Sequence, residues 1–306
     1  DITTQQKRVP VSFSRAPGVT ETIGAATNWL REDRGRTDFL ATNLYLQYQE
    51  MFGDRHDVSA MVGYNYEQST VENLAARRGE LIFPGATNIN LALGDDIDTS
   101  GSFGRWAILG GFYRLNYIFD ERYLLEFTGR YDGSSKFPEN ERFAFFPSAS
   151  VGWRISSEPF WNVPDDIINH LQLRASYGSM GNGDINAYLF HETFGISRSG
   201  RMLEGTRPRF TRNPTVLPDG LTWETATTRN LGLNLEMFNG RLDFSGDIYV
   251  RETTDMFAIA LTPPATFGAS APRGNYADLE TRGWELMLRW RDMVQVAGSP
   301  MSYNVR

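Results

Sequence analysis

Polar and charged side chains occupy every second position in several segments of this chain. In Arg241–Arg251 (RLDFSGDIYVR) they alternate with apolar residues such as Leu242, Phe244 and Ile248. Because successive side chains of a strand point to opposite faces, this spacing predicts a strand with one charged and one apolar side. In a soluble sheet such residues would form a solvated face, whereas in a barrel they would line a water-filled or plugged interior. The candidates on the predicted polar faces are Arg130, Asp132, Arg174, Glu236, Arg241, Asp243, Asp247, Arg251, Glu285 and Arg289.

Residue types that make and break bonds do not occur here in catalytic spacings. The chain has no cysteine, which excludes thiol catalysis, thiolate metal sites and disulfides. Its three histidines, His56, His170 and His191, form no HExxH pattern, and no GxSxG motif occurs. We therefore predict no enzyme, no catalytic residue and no cofactor. A hydrolase or glycosidase stays open as an alternative, because a pair of catalytic carboxylates has no linear signature.

One acidic segment partly matches a calcium-binding loop. The stretch 96–101 (DIDTSG) has aspartates at the first and third positions and glycine at the sixth. Position 12 falls on Ala107, where an EF-hand loop needs a bidentate glutamate, and helical flanks are missing. We expect a solvated acidic loop, with a loop calcium ion as the less favoured interpretation.

A second loop motif, Asp132–Phe137 (DGSSKF), stands at the end of a predicted strand. It could meet substrate or a partner at an external surface. It could equally be a turn whose glycine and serines supply unusual φ angles and local hydrogen bonds. We favour the turn.

The elements that carry these residues are segments of about ten residues, the length at which a tilted strand crosses a bilayer. Short connections, at 50–55, 119–122, 238–240 and 292–299, alternate with longer polar ones. Asn239-Gly240 is the strongest hairpin signal, since both positions tolerate positive φ. The longer connections are 70–105, 133–143, 181–222 and 253–281, with 155–170 as a medium one on the short side. The predicted strands are 39–49, 56–69, 106–119, 123–132, 148–154, 171–177, 230–237, 241–251 and 284–291, and 301–306 is expected to lie within a further strand.

This order of connections is typical of transmembrane barrels, which have short periplasmic turns and longer external loops. No run of 18 apolar residues could form a membrane helix. A charge facing lipid would cost about 2–4 kcal/mol at the bilayer midplane, so the apolar faces should meet lipid and the charged faces the lumen. The sequence therefore predicts an all-β fold, a transmembrane antiparallel barrel in meander order. The predicted lipid-facing residues are Leu125, Phe127, Leu233, Leu235, Ile248, Leu286 and Leu288.

Longer stretches resemble a known family. Arg122–Trp161 (RYLLEFTGRYDGSSKFPENERFAFFPSASVGWRISSEPFW) is similar to the SusC/RagA type of TonB-dependent outer-membrane transporter. So are Phe52–Glu67, Leu171–Ile185, Leu221–Phe257 and Ala271–Trp290, in the same order.

The resemblance implies nutrient import across the outer membrane through a 22-stranded barrel that encloses an N-terminal plug. It implies TonB as energy source, a SusD-like surface lipoprotein as partner, and a glycan or peptide as substrate. We count about ten strands and find neither plug nor TonB box. Residues 1–306 are therefore expected to form a partial barrel, with the plug domain and the remaining strands absent.

Two further expectations concern partners. The net charge of −7 is scattered without a basic stripe, so no nucleic acid is expected. Substrate specificity should lie in the connections 70–105, 181–222 and 253–281. Their aromatic residues could stack on sugars or pack the loops together, and we favour packing; they are Phe103, Tyr188, Phe190, Phe194, Phe210 and Phe267. The alternative to a transporter is a soluble β-sandwich that binds carbohydrate.

Overall fold

The computed structural model describes residues 2–7, 12–16, 19–22, 29–83, 85–95, 97–262, 264, 266, 268, 270–296 and 299–306. Strands dominate this part of the chain, together with three short 3₁₀ turns at Ile89–Leu91, Glu139–Glu141 and Ile155–Ser157. No helix in the described ranges is long and apolar enough to cross a membrane. The strands are β1 (Ile2–Lys7), β2 (Ser12–Ala16), β3 (Val19–Thr22), β4 (Trp29–Phe52), β5 (His56–Gly79), β6 (Ile97–Phe119), β7 (Tyr123–Ser134), β8 (Phe143–Arg154), β9 (Ile168–Asn182), β10 (Phe194–Arg198), β11 (Arg209–Pro214), β12 (Glu224–Met237), β13 (Leu242–Ile259), β14 (Arg273–Val296) and β15 (Ser299–Val305).

Eleven strands form one sheet in the order β1-β4-β5-β6-β7-β8-β9-β12-β13-β14-β15. Long strands that follow one another in sequence are neighbours, and their pairing is antiparallel. The remaining strands form two small hairpins, β2–β3 and β10–β11. The prediction of an all-β meander is confirmed. The sheet has one strand more than the ten or so predicted, since β1 pairs with the start of β4.

Several strands are longer than their sequence pattern indicated. β4, β5 and β14 have 24 residues each and β6 has 23, about twice the length that a bilayer requires. The predicted loop 70–105 was therefore wrong at both ends, because 70–79 belongs to β5 and 97–105 to β6. Polar residues occupy both faces of these strand ends, mixed with a few apolar ones such as Val71 and Leu74, so hydrophobic alternation does not reveal them.

The turn between β12 and β13 confirms the hairpin signal. Asn239 has φ 56° and Gly240 has φ 73°, the positive values that such tight turns require.

The chain divides into two compact units. Unit 1 comprises Asp1–Ala41 and Glu67–Ala107, and its small core contains Leu30, Leu81 and Ala92. Unit 2 comprises Thr42–Tyr66 and Ile108–Arg306. The predicted lumen and lipid residues all lie in unit 2.

Candidate functional site

The register of unit 2 brings the predicted polar residues into rows across one face of the sheet. Arg174 of β9 lies opposite Gly232 of β12, which lies opposite Asp247 of β13, which lies opposite Glu285 of β14. Residues opposite each other in antiparallel strands share a face. We call this the polar face.

Arg174 and Asp247 form an ion pair within this row. The Nη2 atom of Arg174 donates to both carboxylate oxygens of Asp247, at 3.0 and 3.1 Å. A Cβ atom at position 232 would lie 2.5 Å from Asp247 Oδ1 and 2.8 Å from Arg174 Nη2. Because Gly232 has no side chain, Arg174 of β9 and Asp247 of β13 can form their ion pair across β12, although β9 and β13 are not neighbours.

Arg130 and Asp132 are paired two residues apart along β7. Arg130 Nη2 lies 2.8 Å from Asp132 Oδ1 and 3.4 Å from Asn65 Oδ1 of β5. Gly110 of β6 lies opposite Asp132, and a Cβ there would collide with this carboxylate. The guanidinium group also lies 5.5 Å from the centre of the Phe112 ring, a cation–π distance.

Asp243 is the most buried charged group of the polar face, with 6% of its surface exposed. Arg289 opposite donates to it from Nε at 2.8 Å, and Arg291 Nη2 lies 3.7 Å away. Glu236 lies opposite Asp243 on the other side. The two arginines compensate the buried Asp243 carboxylate, as burial of charge requires, whereas Glu236 is exposed.

Two other residues predicted on the polar face, Arg251 and Arg241, contact polar groups outside these pairs. Arg251 Nε donates to Thr228 Oγ1 at 3.2 Å. Arg241 stands in the β12–β13 turn, not in a strand, and its Nε lies 3.4 Å from Asp292 Oδ1.

The opposite face is apolar and exposed. Leu231 of β12, Ile248 of β13 and Trp284 of β14 form one row, and 58%, 59% and 70% of their surfaces are exposed. The seven predicted lipid-facing residues share this face through the register, namely Leu125, Phe127, Leu233, Leu235, Ile248, Leu286 and Leu288.

Charges on this apolar face begin immediately beyond that row. Arg229 pairs with Glu252 at 3.0 Å, and Arg282 pairs with Glu280. At the other end the last apolar row contains Leu242 opposite Trp290. The apolar band thus occupies about nine residues of β13, from Leu242 to Val250, close to the 9–11 residues of a tilted strand that spans a bilayer.

A family profile described as "TonB dependent receptor-like, beta-barrel" matches residues 4–305. The chain belongs to this family. Members of the TonB-dependent receptor family are receptors and transporters, not enzymes, which confirms the prediction of a non-enzymatic protein.

Named relatives agree. The chain is 32% identical over 267 residues to TonB-dependent receptor P3 of Formosa agariphila, covering 86% of the chain and 26% of that protein. It is 32% identical over 206 residues to TonB-dependent receptor SusC of Bacteroides thetaiotaomicron, covering 66% of the chain and 20% of SusC. The chain thus spans about a quarter or less of the length of these relatives.

A solved structure shows the same fold. The RagAB peptide importer in its "closed-closed" state aligns with a TM-score of 0.74 at 23% identity, covering 99% of this chain and 33% of that one. The family, the relatives and this fold confirm the SusC/RagA resemblance.

In this TonB-dependent receptor barrel, Asp132–Phe137 ends in the main core of unit 2. Phe137 is fully buried and its ring centre lies 4.9 Å from that of Trp223. The backbone N–H of Lys136 donates to Ser134 Oγ at 3.3 Å. These contacts are those of a structural turn. The core cluster consists of Phe137, Phe146, Ile185, Leu221 and Trp223.

The loop aromatics divide between packing and exposure. Phe190 packs against the core cluster, whereas Phe103, Phe194 and Phe210 have half or more of their surfaces exposed. Phe267 lies outside the described residues.

The acidic segment of the calcium hypothesis is a strand rather than a loop. Asp98 and Ala107 both belong to β6, while Asp96 lies outside the described residues. The described part of the chain contains no group of three or more histidine or acidic side chains placed to hold a metal ion.

The medium connection after β8 contains a carboxylate that sequence analysis missed. Glu158 accepts hydrogen bonds from Tyr123 Oη at 2.6 Å and Trp153 Nε1 at 2.8 Å. These bonds, with the nearby Arg122, hold the pKa of Glu158 below its ordinary value. Periodicity does not link these residues: the pairing of β7 with β8 brings Tyr123 opposite Trp153, and the turn after β8 brings Glu158 to both.

Proposed function

We propose that the protein is an outer-membrane importer and that this chain forms part of its barrel wall. The imported nutrient is a glycan (or oligosaccharide) or a peptide. The observation that carries the proposal is the separation of the two faces of unit 2. Ion pairs such as Arg174–Asp247 lie on one face, and exposed side chains such as Ile248 and Trp284 lie on the other.

Two environments account for this separation. The apolar band faces lipid, and the polar face lines the lumen, where water or a plug domain contacts the charges. An exposed apolar face of this extent would otherwise promote aggregation. The ion pairs at Arg229 and Arg282 then mark the level at which the wall leaves the hydrocarbon on the side of the longer connections.

The partners follow from family membership. TonB in the inner membrane supplies energy through a plug, and a SusD-like lipoprotein covers the external side. RagAB, which shares the fold, is a peptide importer, and this supports a peptide as one of the two substrate classes. Membership in the receptor family argues against both alternatives, a carbohydrate-binding sandwich and a hydrolase.

Deletion and complementation test this function. The gene is deleted in its native host, and growth is measured on defined glycans and on peptides as sole nutrient, with the intact gene and a TonB-deficient strain for comparison. We expect loss of growth on one nutrient class, with the protein recovered in outer-membrane fractions. Normal growth on every nutrient, or recovery only in soluble fractions, would contradict the proposal.

A further inference from the structure

The hairpin β10–β11 with its connecting loop, Phe194–Pro214, is strongly basic in an otherwise acidic chain. It contains five arginines and one glutamate, while the whole chain has a net charge of −7. We call this segment the arginine hairpin. The five arginines are Arg198, Arg201, Arg207, Arg209 and Arg212.

None of these guanidinium groups has a carboxylate oxygen within 4.0 Å among the described residues, and all five side chains are exposed. On the polar face, by contrast, Arg174 and Arg289 are each paired with an aspartate. Within the described part of the fold, no ion pair thus neutralises the positive charge of the arginine hairpin.

The register adds an electrostatic cost. Arg198 and Arg209 are directly opposite each other across the two strands. Side chains in such positions start about 5 Å apart, and like charges there destabilise a hairpin. An anion bound between Arg198 and Arg209 would be attracted to both guanidinium groups and would offset their mutual repulsion.

A recess of about 1140 Å³ lies between the arginine hairpin and the described residues of the connection from β13 to β14, among them Thr262, Pro264 and 270–272. Arg212 of the hairpin and Arg273 at the start of β14 both line it. Its other walls carry hydroxyl, amide and aromatic groups, including Thr211, Asn213, Thr215 and Tyr188. Pockets of about 300–1,000 Å³ hold a drug-sized ligand, so this volume admits a short oligomer.

We infer that this recess and the arginine hairpin bind an anionic oligosaccharide, with Arg212 and Arg273 contacting its carboxylate or sulfate groups. The inference rests on the proposed import function and narrows its substrate class. Arginine offers a planar fork of donors that matches both kinds of anion. Hydroxyl and amide side chains suit sugar hydroxyls, and the rings of Tyr188 and Phe210 can contact apolar sugar faces, which favours a glycan over an acidic peptide.

Calorimetric binding to the full-length protein in detergent tests the inference. The probes are a six-unit oligogalacturonate, its methyl ester, a sulfated galactose oligomer of equal length and hexaglutamate. We expect at least one sugar anion to bind more tightly than the uncharged ester, and more weakly as salt is raised. The variant R212Q/R273Q should lose about tenfold or more in affinity for that anion.

R36Q is the matched control, since Arg36 is exposed and already paired with Asp38 at 3.0 Å. It should leave the affinity unchanged. Assembly of each variant is checked by its heat-dependent mobility in detergent gels.

Three results would overturn the inference: equal affinity for the acid and its ester, unchanged affinity in R212Q/R273Q, or a preference for hexaglutamate over both sugar anions. Uptake of a neutral nutrient by the same cells would then leave the import function standing. Failure of that function would instead appear as normal growth of the deletion strain.

Discussion

Arg174 on β9 and Asp247 on β13 form an ion pair across an entire intervening strand. The contact of 3.0 Å passes over Gly232 of β12, which lies opposite both residues. Because Gly232 has no side chain, the two charged groups can meet above β12, and their ion pair links β9 to β13.

Gly232→Val should therefore destabilise the barrel. The added side chain must displace both charged groups, and overpacking of this kind costs about 1–3 kcal/mol. The measurement is the temperature at which the folded band converts to the unfolded band in detergent gels. Gly111→Val is the control, because a Cβ at Gly111 meets no atom within 4 Å. Equal melting of the two variants would show that the ion pair does not require the space at Gly232.

Ile248→Arg should impair assembly of the full-length protein. Ile248 lies in the apolar band, one row inside the level of Arg229 and Arg282, with 59% of its surface exposed. A charge facing hydrocarbon costs about 2–4 kcal/mol at the midplane and less towards the interface. The amount of folded protein in outer-membrane fractions measures the effect.

Asp247→Asn, one residue away, is the matched comparison. It removes the negative charge but keeps an oxygen that can accept from Arg174, and the two side chains are 38% and 18% exposed. The change should therefore cost about 1 kcal/mol or less. Assembly should be nearly normal. If the asparagine variant assembles worse than Ile248→Arg, the assignment of faces for β13 is reversed.

Glu158→Gln should lower stability in a pH-dependent manner. The hydrogen bonds from Tyr123 and Trp153 hold the pKa of Glu158 below its ordinary value. The stabilisation by the carboxylate is therefore present above the pKa of an unfolded glutamate, about 4.3, and is lost as pH falls through the lower folded pKa. Melting of wild type and variant is compared from pH 7 downward. A stability difference that stays constant with pH would refute a role for the charge.

Phe137→Ala should loosen the external connections without preventing assembly of the wall. Phe137 is fully buried against Trp223, and truncation of a buried phenylalanine costs about 3–5 kcal/mol. Limited proteolysis of assembled protein should cut the 181–222 connection faster. Phe145→Ala, at a side chain that is 51% exposed, should leave the cleavage rate unchanged.

The strands that cross the apolar band could be predicted because their signal is local. Each face of a strand such as β13 meets one environment, so period two in the sequence reports the two faces directly. The positive φ values at Asn239 and Gly240 are likewise local, since a tight turn depends on its own residues.

The strand ends beyond the band could not be predicted in this way. At 70–79 and 97–105 polar residues occupy both faces, so the strands are defined only by hydrogen bonds to their neighbours. A pattern based on polarity has no contrast there and indicates a loop.

The sequence alone therefore determined the fold class, the two faces and their charged and apolar members. Only the tertiary structure decided which charges meet. Arg174 is 73 residues from Asp247 in the chain, and Phe137 contacts Trp223 although the two are far apart in sequence. Arg198 lies opposite Arg209, and neither has a carboxylate oxygen within 4.0 Å in the described part of the chain. Alternation is a property of one strand, whereas pairing depends on the register between strands, which is fixed by the backbone hydrogen bonds of the whole sheet.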